Sequence, residues 1–139
     1  MIRPVVQEER TGCGIAAVAA LAGVPYSRAR AVASSLGIFA QDPKLWSETS
    51  SVRRLLPAFG LRAAGTRRPF RSWAGLPDCA LLAIKWHLEC GRPFWHWVVF
   101  VRENDRSYVV DSTPTLKAPL RTDFGRMRPV WFLSVTRER

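Results

Sequence analysis

The residue of this chain best suited to covalent chemistry is Cys13, which stands between Gly12 and Gly14 at the start of a run of small apolar residues. If that run is a helix, its unpaired N–H groups and its dipole favour negative charge at the first turn. A thiol in such a place tends toward the nucleophilic thiolate. The two glycines would let a substrate carbonyl approach the sulfur closely. We therefore predict a nucleophile, with a buried structural cysteine as the alternative.

A base and its orienting acid are predicted from one hairpin. If the turn consists of Asn104 and Asp105 alone, the flanking residues pair and His96 becomes a diagonal neighbour of Asp111 on one sheet face. Their Cα atoms would then lie about 7–8 Å apart, within reach of an imidazole–carboxylate bond. A loop with an odd number of residues would put them on opposite faces. The alternatives are an edge histidine bonded to backbone and a carboxylate that caps a turn.

Gln7 is the candidate oxyanion donor, since five residues separate it from Cys13 and a primary amide can donate to developing negative charge. Standing alone, it would be interpreted as a solvated loop residue. His87 competes with His96 for the role of base. The residue fifteen positions beyond it is Arg102, which cannot orient an imidazole as an acceptor would, so we expect His87 to line the cleft or to pack beside Trp86.

The helices and strands that must position these residues are predicted from the spacing of apolar residues, which changes from a helical to a strand-like pattern halfway along the chain. The first half predicts three helices: one capped by Thr11 and ended by Gly23, one opened by Pro25 and Ser27 and ended by Gly37, and one capped by Ser50 or Ser51, shortened by Pro57 and ended by Gly60. The second half predicts strands over 79–86, 96–101, 107–111 and 129–135. Helices followed by strands favour an α+β fold, with the helices packed on a mostly antiparallel sheet.

Composition restricts the function classes. The 139 residues suit one domain spanning 1–139, and no apolar run reaches the ~18 residues that cross a bilayer. The first residues lack a signal pattern, which predicts a cytoplasmic protein. Three cysteines make no disulfide framework, so we expect Cys79 and Cys90 to be buried or half-buried thiols, and no spacing suggests a metal or cofactor. The net charge of +10 favours acidic partners, anionic surfaces or nucleic acid.

Two segments resemble a known family. VVQEERTGCGIAAVAALAGVPYSRARAVASSLGI is similar to the start of the bacteriocin-processing peptidases that cut double-glycine leaders, and HWVVFVRENDRSYVVDSTP is similar to their His-led hairpin with its terminal Asp. The resemblance implies a bacterial, papain-like cysteine peptidase in stand-alone form. It assigns Cys13 as nucleophile, His96 as base, Asp111 as the orienting acid and Gln7 as oxyanion donor, and it implies a peptide or protein substrate. We also predict Trp86, Trp95 and Trp97 as walls of the cleft, with ordinary core packing as the alternative.

Other functions stay open from the sequence. A transglutaminase-like acyltransferase has a similar line from His96 to Asp111, although Gln7 favours a peptidase. A nucleic-acid binder is suggested by TRRPFRSW, in which Arg67, Arg68 and Arg71 alternate with Phe70 and Trp73. An effector that cleaves a foreign protein, or a hydrolase that removes a protein modifier, would use the same catalytic residues.

Overall fold

The computed structural model describes residues 2–138 and has four α-helices and a seven-stranded sheet. The α+β architecture predicted from the sequence is confirmed. The helices are α1 (Cys13–Ala22), α2 (Tyr26–Ser35), α3 (Ser50–Leu55) and α4 (Phe124–Met127), with 3-10 turns at Pro43–Trp46 and Leu56–Phe59. The strands are β1 (Leu61–Ala63), β2 (Arg68–Pro69), β3 (Cys79–Glu89), β4 (Arg92–Glu103), β5 (Arg106–Val110), β6 (Leu120–Arg121) and β7 (Trp131–Arg137).

Helix α1 is buried over nearly its whole length because its residues are small and apolar on every side. Gly23 ends it in the left-handed conformation, as predicted. The predicted cap is wrong. Gly12 occupies the N-cap without a side-chain bond, and the Thr11 hydroxyl donates instead to the backbone oxygen of Ala40. The side chain of Thr11 therefore ties the loop before α1 to the chain that follows α2.

The third predicted helix forms as α3 and a 3-10 turn, but its predicted serine cap is wrong. Thr49, not a serine, precedes α3, and it makes no capping bond with its side chain. The α-helix ends at Leu55, and Pro57 lies in the 3-10 turn that follows, because a proline has no N–H to continue the α pattern. Gly60 ends this turn with φ of 72°, so its predicted role as the stop is confirmed.

The sheet is antiparallel at every described pairing, in the order β1-β7-β3-β4-β5-β6, with β2 attached to β7. One face packs against α1, α2 and α3 and forms the larger core. The other face is covered by the segment 70–76 and by α4, which contribute Leu76 and Met127. Strands β3 and β4 are central and buried on both faces, so they read in the sequence as continuous apolar runs.

The β4–β5 hairpin has the predicted register. Glu103 pairs with Arg106 across a two-residue turn, and Asn104 and Asp105 both have positive φ, 51° and 65°. These values suit a type I′ turn, which matches the twist of the strands and favours Asn and Asp. Pairing continues to Val99 opposite Val110, so the predicted two-residue turn is confirmed.

Strand β3 carries a bulge beside this hairpin. Ile84 pairs with His96 and His87 pairs with Phe94, so Lys85 and Trp86 together face the single residue Trp95. Lys85 has φ of 54°. The bulge divides the β3–β4 hairpin into a buried part and an exposed tip, residues 85–92, which is longer than the sequence predicted. Within residues 2–138, no helix has the length and apolar character needed to cross a membrane.

Candidate active site

Cys13 is the first residue of α1 and is fully buried at an edge of the sheet. Strand β5 ends at Val110, opposite Val99, so the next stretch of β4 has no strand beside it on that side. The start of α1 fills this place, and the backbone N–H of Trp97 donates to Cys13 Sγ at 3.5 Å. The thiol therefore lies beside β4 because β5 ends early and the start of α1 takes its place. These two segments are far apart in sequence.

His96 lies next to Trp97 on β4 and is close to both Cys13 and Asp111. Its Nε2 is 2.8 Å from Asp111 Oδ1 and 3.3 Å from Thr113 Oγ1. Because Nε2 faces these two groups, Nδ1 is the nitrogen left for Cys13. Burial opposes protonation of the ring, but hydrogen bonds to Asp111 and Cys13 and the negative charge of both groups raise the pKa of His96 to about 9.

The carboxylate of Asp111 is fully buried and accepts four hydrogen bonds. Oδ1 receives His96, the Thr113 N–H at 3.0 Å and the Thr113 hydroxyl at 2.8 Å, and Oδ2 receives Arg121 Nη1 at 3.0 Å. Burial disfavours the charged form, but the bond and the charge of His96 and the bonds from Thr113 hold the pKa of Asp111 far below its ordinary value. Asp111 therefore remains an anion, hydrogen-bonded to the imidazole.

Gln7 is buried and joins the two halves of the site. Its backbone N–H donates to the Ser112 carbonyl at 3.1 Å, and its Oε1 accepts the Ser112 hydroxyl at 2.7 Å. Its Nε2 donates to the carbonyl oxygens of Glu9 and Arg10, each at 3.0 Å. The amide thus links the residue after Asp111 to the loop before Cys13, and both of its N–H groups have partners within the chain.

The glycines that flank Cys13 make room for the protein's own side chains rather than for a substrate. A Cβ on Gly12 would clash with the Tyr26 hydroxyl, and one on Gly14 would lie 3.2 Å from Trp97 Cδ1 and 3.1 Å from Val52 Cγ1. The expectation that they open a path for the substrate carbonyl is therefore corrected. They let α1 pack closely against α2, α3 and β4.

Two of the three predicted cleft tryptophans belong to the core. Trp95 and Trp97 are 4% and 0% exposed, and their rings meet each other and Trp131 edge to face at 4.8–5.7 Å. Alternating side chains of β4 put both on the face covered by the helices, so the expectation that they flank the cleft is wrong for this pair. Trp86 is 42% exposed because the bulge turns it outward at the hairpin tip.

His87 is a surface residue of the same tip. Its ring stacks on Phe94 with centroids 6.1 Å apart and bonds to the Lys85 carbonyl and the Glu89 carboxylate. It neither packs on Trp86 as a core residue nor approaches Asp111, which leaves His96 as the histidine of the site.

The other two cysteines are free thiols at opposite ends of β3. Cys79 is half-buried, and burial raises the pKa of its thiol to about 11. Cys90 is exposed at the turn of the β3–β4 hairpin, so the expectation that it is at least half-buried is wrong. Neither lies near the His96 imidazole.

A surface pocket of about 380 Å³ opens next to the loop that precedes Cys13. Thr11 lines it together with Trp46 and Phe94, whose rings meet edge to face at 6.3 Å. Arg10 lies over the Trp46 ring at 5.4 Å. Trp46 and Phe94 had no motif to identify them, because the segment 38–78 and the start of β4 meet only in the folded chain.

The predicted arginine cluster lines a different groove, on the far side of the sheet from β5. Arg68 and Arg71 border an open groove of about 610 Å³, and Arg67 lies over the Trp131 ring at 4.9 Å. Phe70 and Trp73 are not available for stacking with bases, since they pack against the second core. The cluster is therefore a cationic surface rather than an alternation of cations and exposed aromatic rings.

Comparison with known proteins identifies the fold. No protein-family model matches the chain, and no curated protein matches it by sequence. Among solved structures, the chain is similar to a double glycine motif protease from an AMS/PCAT transporter, crystallised in complex with the leader peptide. The two share 18% sequence identity with a TM-score of 0.61, over 99% of this chain and 92% of that one. This chain therefore has the papain-like α+β fold of the bacteriocin-processing, double-glycine peptidases.

Proposed function

We propose that this protein is a cysteine peptidase that cleaves peptide or isopeptide bonds. The observation that carries the proposal is the convergence of Cys13, His96 and Asp111, from the start of α1, from β4 and from the residue after β5. A buried thiol beside an imidazole that a carboxylate orients is the arrangement that activates a sulfur nucleophile. The papain-like fold supports the same chemistry.

The proposed reaction is acyl transfer in two steps. The Cys13 sulfur attacks the scissile carbonyl carbon, and His96, protonated at Nδ1, gives its proton to the leaving amine as the C–N bond breaks. Water then loses a proton to His96 and attacks the thioester, which releases the acid and restores the thiolate–imidazolium pair. Asp111 fixes the ring orientation at Nε2 through both steps.

The oxyanion of the tetrahedral intermediate needs donors near Cys13. The backbone N–H of Cys13, in the first turn of α1, is one candidate because such groups have no partner within the helix. Gln7 is the second. Since its two N–H groups bond to Glu9 and Arg10, we propose that one of these bonds is exchanged for the substrate oxygen when the acyl group enters.

The variant Gln7→Ala tests whether Gln7 donates to the oxyanion or only shapes the loop that precedes Cys13. We expect peptide cleavage to fall by about 10²–10³-fold, the usual loss for one donor, because the negative charge of the transition state loses that donor. Alkylation of Cys13 by iodoacetamide forms no oxyanion, so its rate should stay within about twofold of the wild type. If alkylation slows in parallel with cleavage, Gln7 only organises the loop.

A peptide is the proposed substrate class. The similar protease was crystallised with a leader peptide, and here the pocket beside Thr11 has the aromatic walls that hold a side chain of an extended chain. The net charge of +10 favours acidic sequences. A pool of synthetic peptides of one length, half acidic and half neutral, would therefore show preferential cleavage of the acidic members by mass spectrometry.

The proposal is tested first through the thiol, without knowledge of the substrate. We expect iodoacetamide to modify Cys13 rapidly from mildly acidic pH upward, because an imidazole whose pKa is about 9 stays protonated there and stabilises the thiolate. His96→Ala should slow this reaction strongly below pH 8. Peptide mass spectrometry resolves Cys13 from Cys79 and Cys90, which serve as internal references and should not respond to the substitution. Equal reactivity of all three thiols in both proteins would contradict the proposal.

The acyltransferase alternative uses the same thioester and differs only in the acceptor. Incubation of the enzyme with the peptide pool and a free primary amine distinguishes the two. A peptidase yields mainly the free acid, whereas an acyltransferase yields mainly the amide. Gln7 at its distance before Cys13 favours the peptidase, and the product tests that preference.

A further inference from the structure

The triad carboxylate continues into a second ion pair on β6. Arg121 Nη1 donates to Asp111 Oδ2 at 3.0 Å, on the oxygen that His96 does not use. The other edge of the guanidinium, Nε and Nη2, is held by both oxygens of Asp123 at 2.9 and 2.7 Å. Four side chains therefore form a line of alternating charge: His96, Asp111, Arg121 and Asp123.

Arg121 is brought to this place by a strand pairing. Val109 and Val110 of β5 pair with Arg121 and Leu120, and the Asp111 N–H donates to the Pro119 carbonyl at 2.9 Å. The side chain of Arg121 is only 14% exposed, so its charge lies largely in the protein. A bidentate pair fixes the direction of a guanidinium as well as its position, and a carboxylate such as Asp123 is suited to it.

We infer that Arg121 is a positioning residue of the active site, which locks the Asp111 carboxylate onto His96 and moderates the charge that His96 receives from it. The guanidinium occupies Oδ2, so the carboxylate cannot rotate without losing a buried charge-assisted bond. Its positive charge also opposes the imidazolium. Asp111 thus holds the His96 ring in place, and Arg121 limits how strongly the imidazolium keeps its proton.

The second effect matters because His96 must release its proton to the leaving amine. A carboxylate without a counter-charge would hold the imidazolium too tightly for a general acid, whose pKa is best placed near the working pH. The ionisable groups that contact the ring are Cys13 from α1 and Asp111 from the end of β5. Arg121 from β6 lies on the other oxygen of the Asp111 carboxylate, with Asp123 behind it. Arg121 is the single cation among these groups apart from the ring itself. Removing its charge should therefore raise the pKa of His96.

The test is the titration of His96 followed by NMR of the imidazole carbons in the full chain. The chain contains only two histidines, so His87 on the exposed hairpin tip is an internal reference. In Arg121→Met we expect the midpoint of His96 to rise by at least about half a pH unit, because a like charge nearby has been removed. His87 should not move. Arg121→Lys keeps the charge without the fork and should shift His96 by less than half as much.

A matched control is Arg106→Met, which removes an arginine from the opposite end of β5 and leaves Asp111 untouched. It should leave both histidines where they are. The orienting role is read from cleavage of the peptide pool, which should fall by about 10–100-fold in Arg121→Met, the loss typical of the outer partners of functional side chains, and recover in part in Arg121→Lys.

The inference rests on the proposed function but fails separately from it. If His96→Ala slows alkylation of Cys13 and yet the His96 midpoint in Arg121→Met is unchanged or lower, the peptidase proposal stands and the role of Arg121 is refuted. Should Arg121→Met fail to fold, Arg121→Gln decides in its place, because it also removes the charge but keeps an N–H donor for Asp111 Oδ2, and it should raise the His96 midpoint in the same way.

Discussion

Replacing Cys13 by alanine is expected to reduce peptide-bond cleavage by about 10⁵-fold or more, to the level of the uncatalysed reaction plus whatever binding alone contributes. His96 Nε2 is occupied by Asp111 and Thr113, and the Thr113 hydroxyl itself donates to Asp111 Oδ1, so Cys13 is the nucleophile left for Nδ1. The measurement is the rate at which the peptide pool loses its substrates, followed by mass spectrometry at equal enzyme concentration.

Folding is expected to survive this substitution. The described partners of the sulfur are the Trp97 N–H and the His96 imidazole, and alanine suits the first turn of α1. Thermal unfolding should therefore shift by only a few degrees. Cys90→Ala is the matched control, since that thiol is exposed at a hairpin turn, and it should cleave like the wild type. Cleavage by Cys13→Ala above about 1% of the wild-type rate would show that another residue is the nucleophile.

Asp111→Asn is expected to lower the cleavage rate by about 10⁴-fold while leaving the shape of the site nearly unchanged. An amide has one acceptor oxygen where the carboxylate has two. If that oxygen faces His96, its NH₂ group meets the Arg121 donor, and if the amide turns round, His96 meets a donor and takes the wrong tautomer. Either way the imidazole loses the negative charge that stabilises its protonated form.

The pH dependence of this variant has a definite sign. In the wild type the pKa of His96 is raised to about 9 by bonds to, and the charges of, Asp111 and Cys13, against the effect of burial. Loss of the Asp111 charge lets burial dominate, so the midpoint of His96 should fall toward or below its ordinary 6.5. NMR titration of the two histidines checks this, with His87 as reference. Asp105→Asn, in the exposed β4–β5 turn, is the control and should change neither the rate nor the titration.

The parts of the site that could be predicted from the sequence are those joined by short-range geometry. Asn104 and Asp105 are residues that accept positive φ, and that preference alone fixes a two-residue turn. The register then follows residue by residue back to His96 and Asp111, because each pair in an antiparallel ladder determines the next. This chain of local steps explains why the hairpin was predicted correctly over fifteen residues.

The parts that could not be predicted depend on contacts between distant segments. Whether Gly14 faces a substrate or Trp97 is decided by how α1 meets β4, and the sequence near Gly14 is the same in both cases. The burial of Trp95 likewise depends on three helices that cover one face of the sheet. Arg121 gave no signal because nine residues separate it from Asp111 and only the pairing of β5 with β6 brings it back.

The bulge in β3 has a consequence for how such an enzyme could change its preference. It lies between Ile84, which pairs with His96, and the exposed tip that carries Trp86 and Leu88, 42% and 58% exposed. A bulge interrupts the regular ladder and bends the strand, so no continuous run of ladder hydrogen bonds joins the tip to the pair beyond it. If the protein is the proposed peptidase, substitutions in the tip could change its contacts with a substrate while the pairing of Ile84 with His96 is kept.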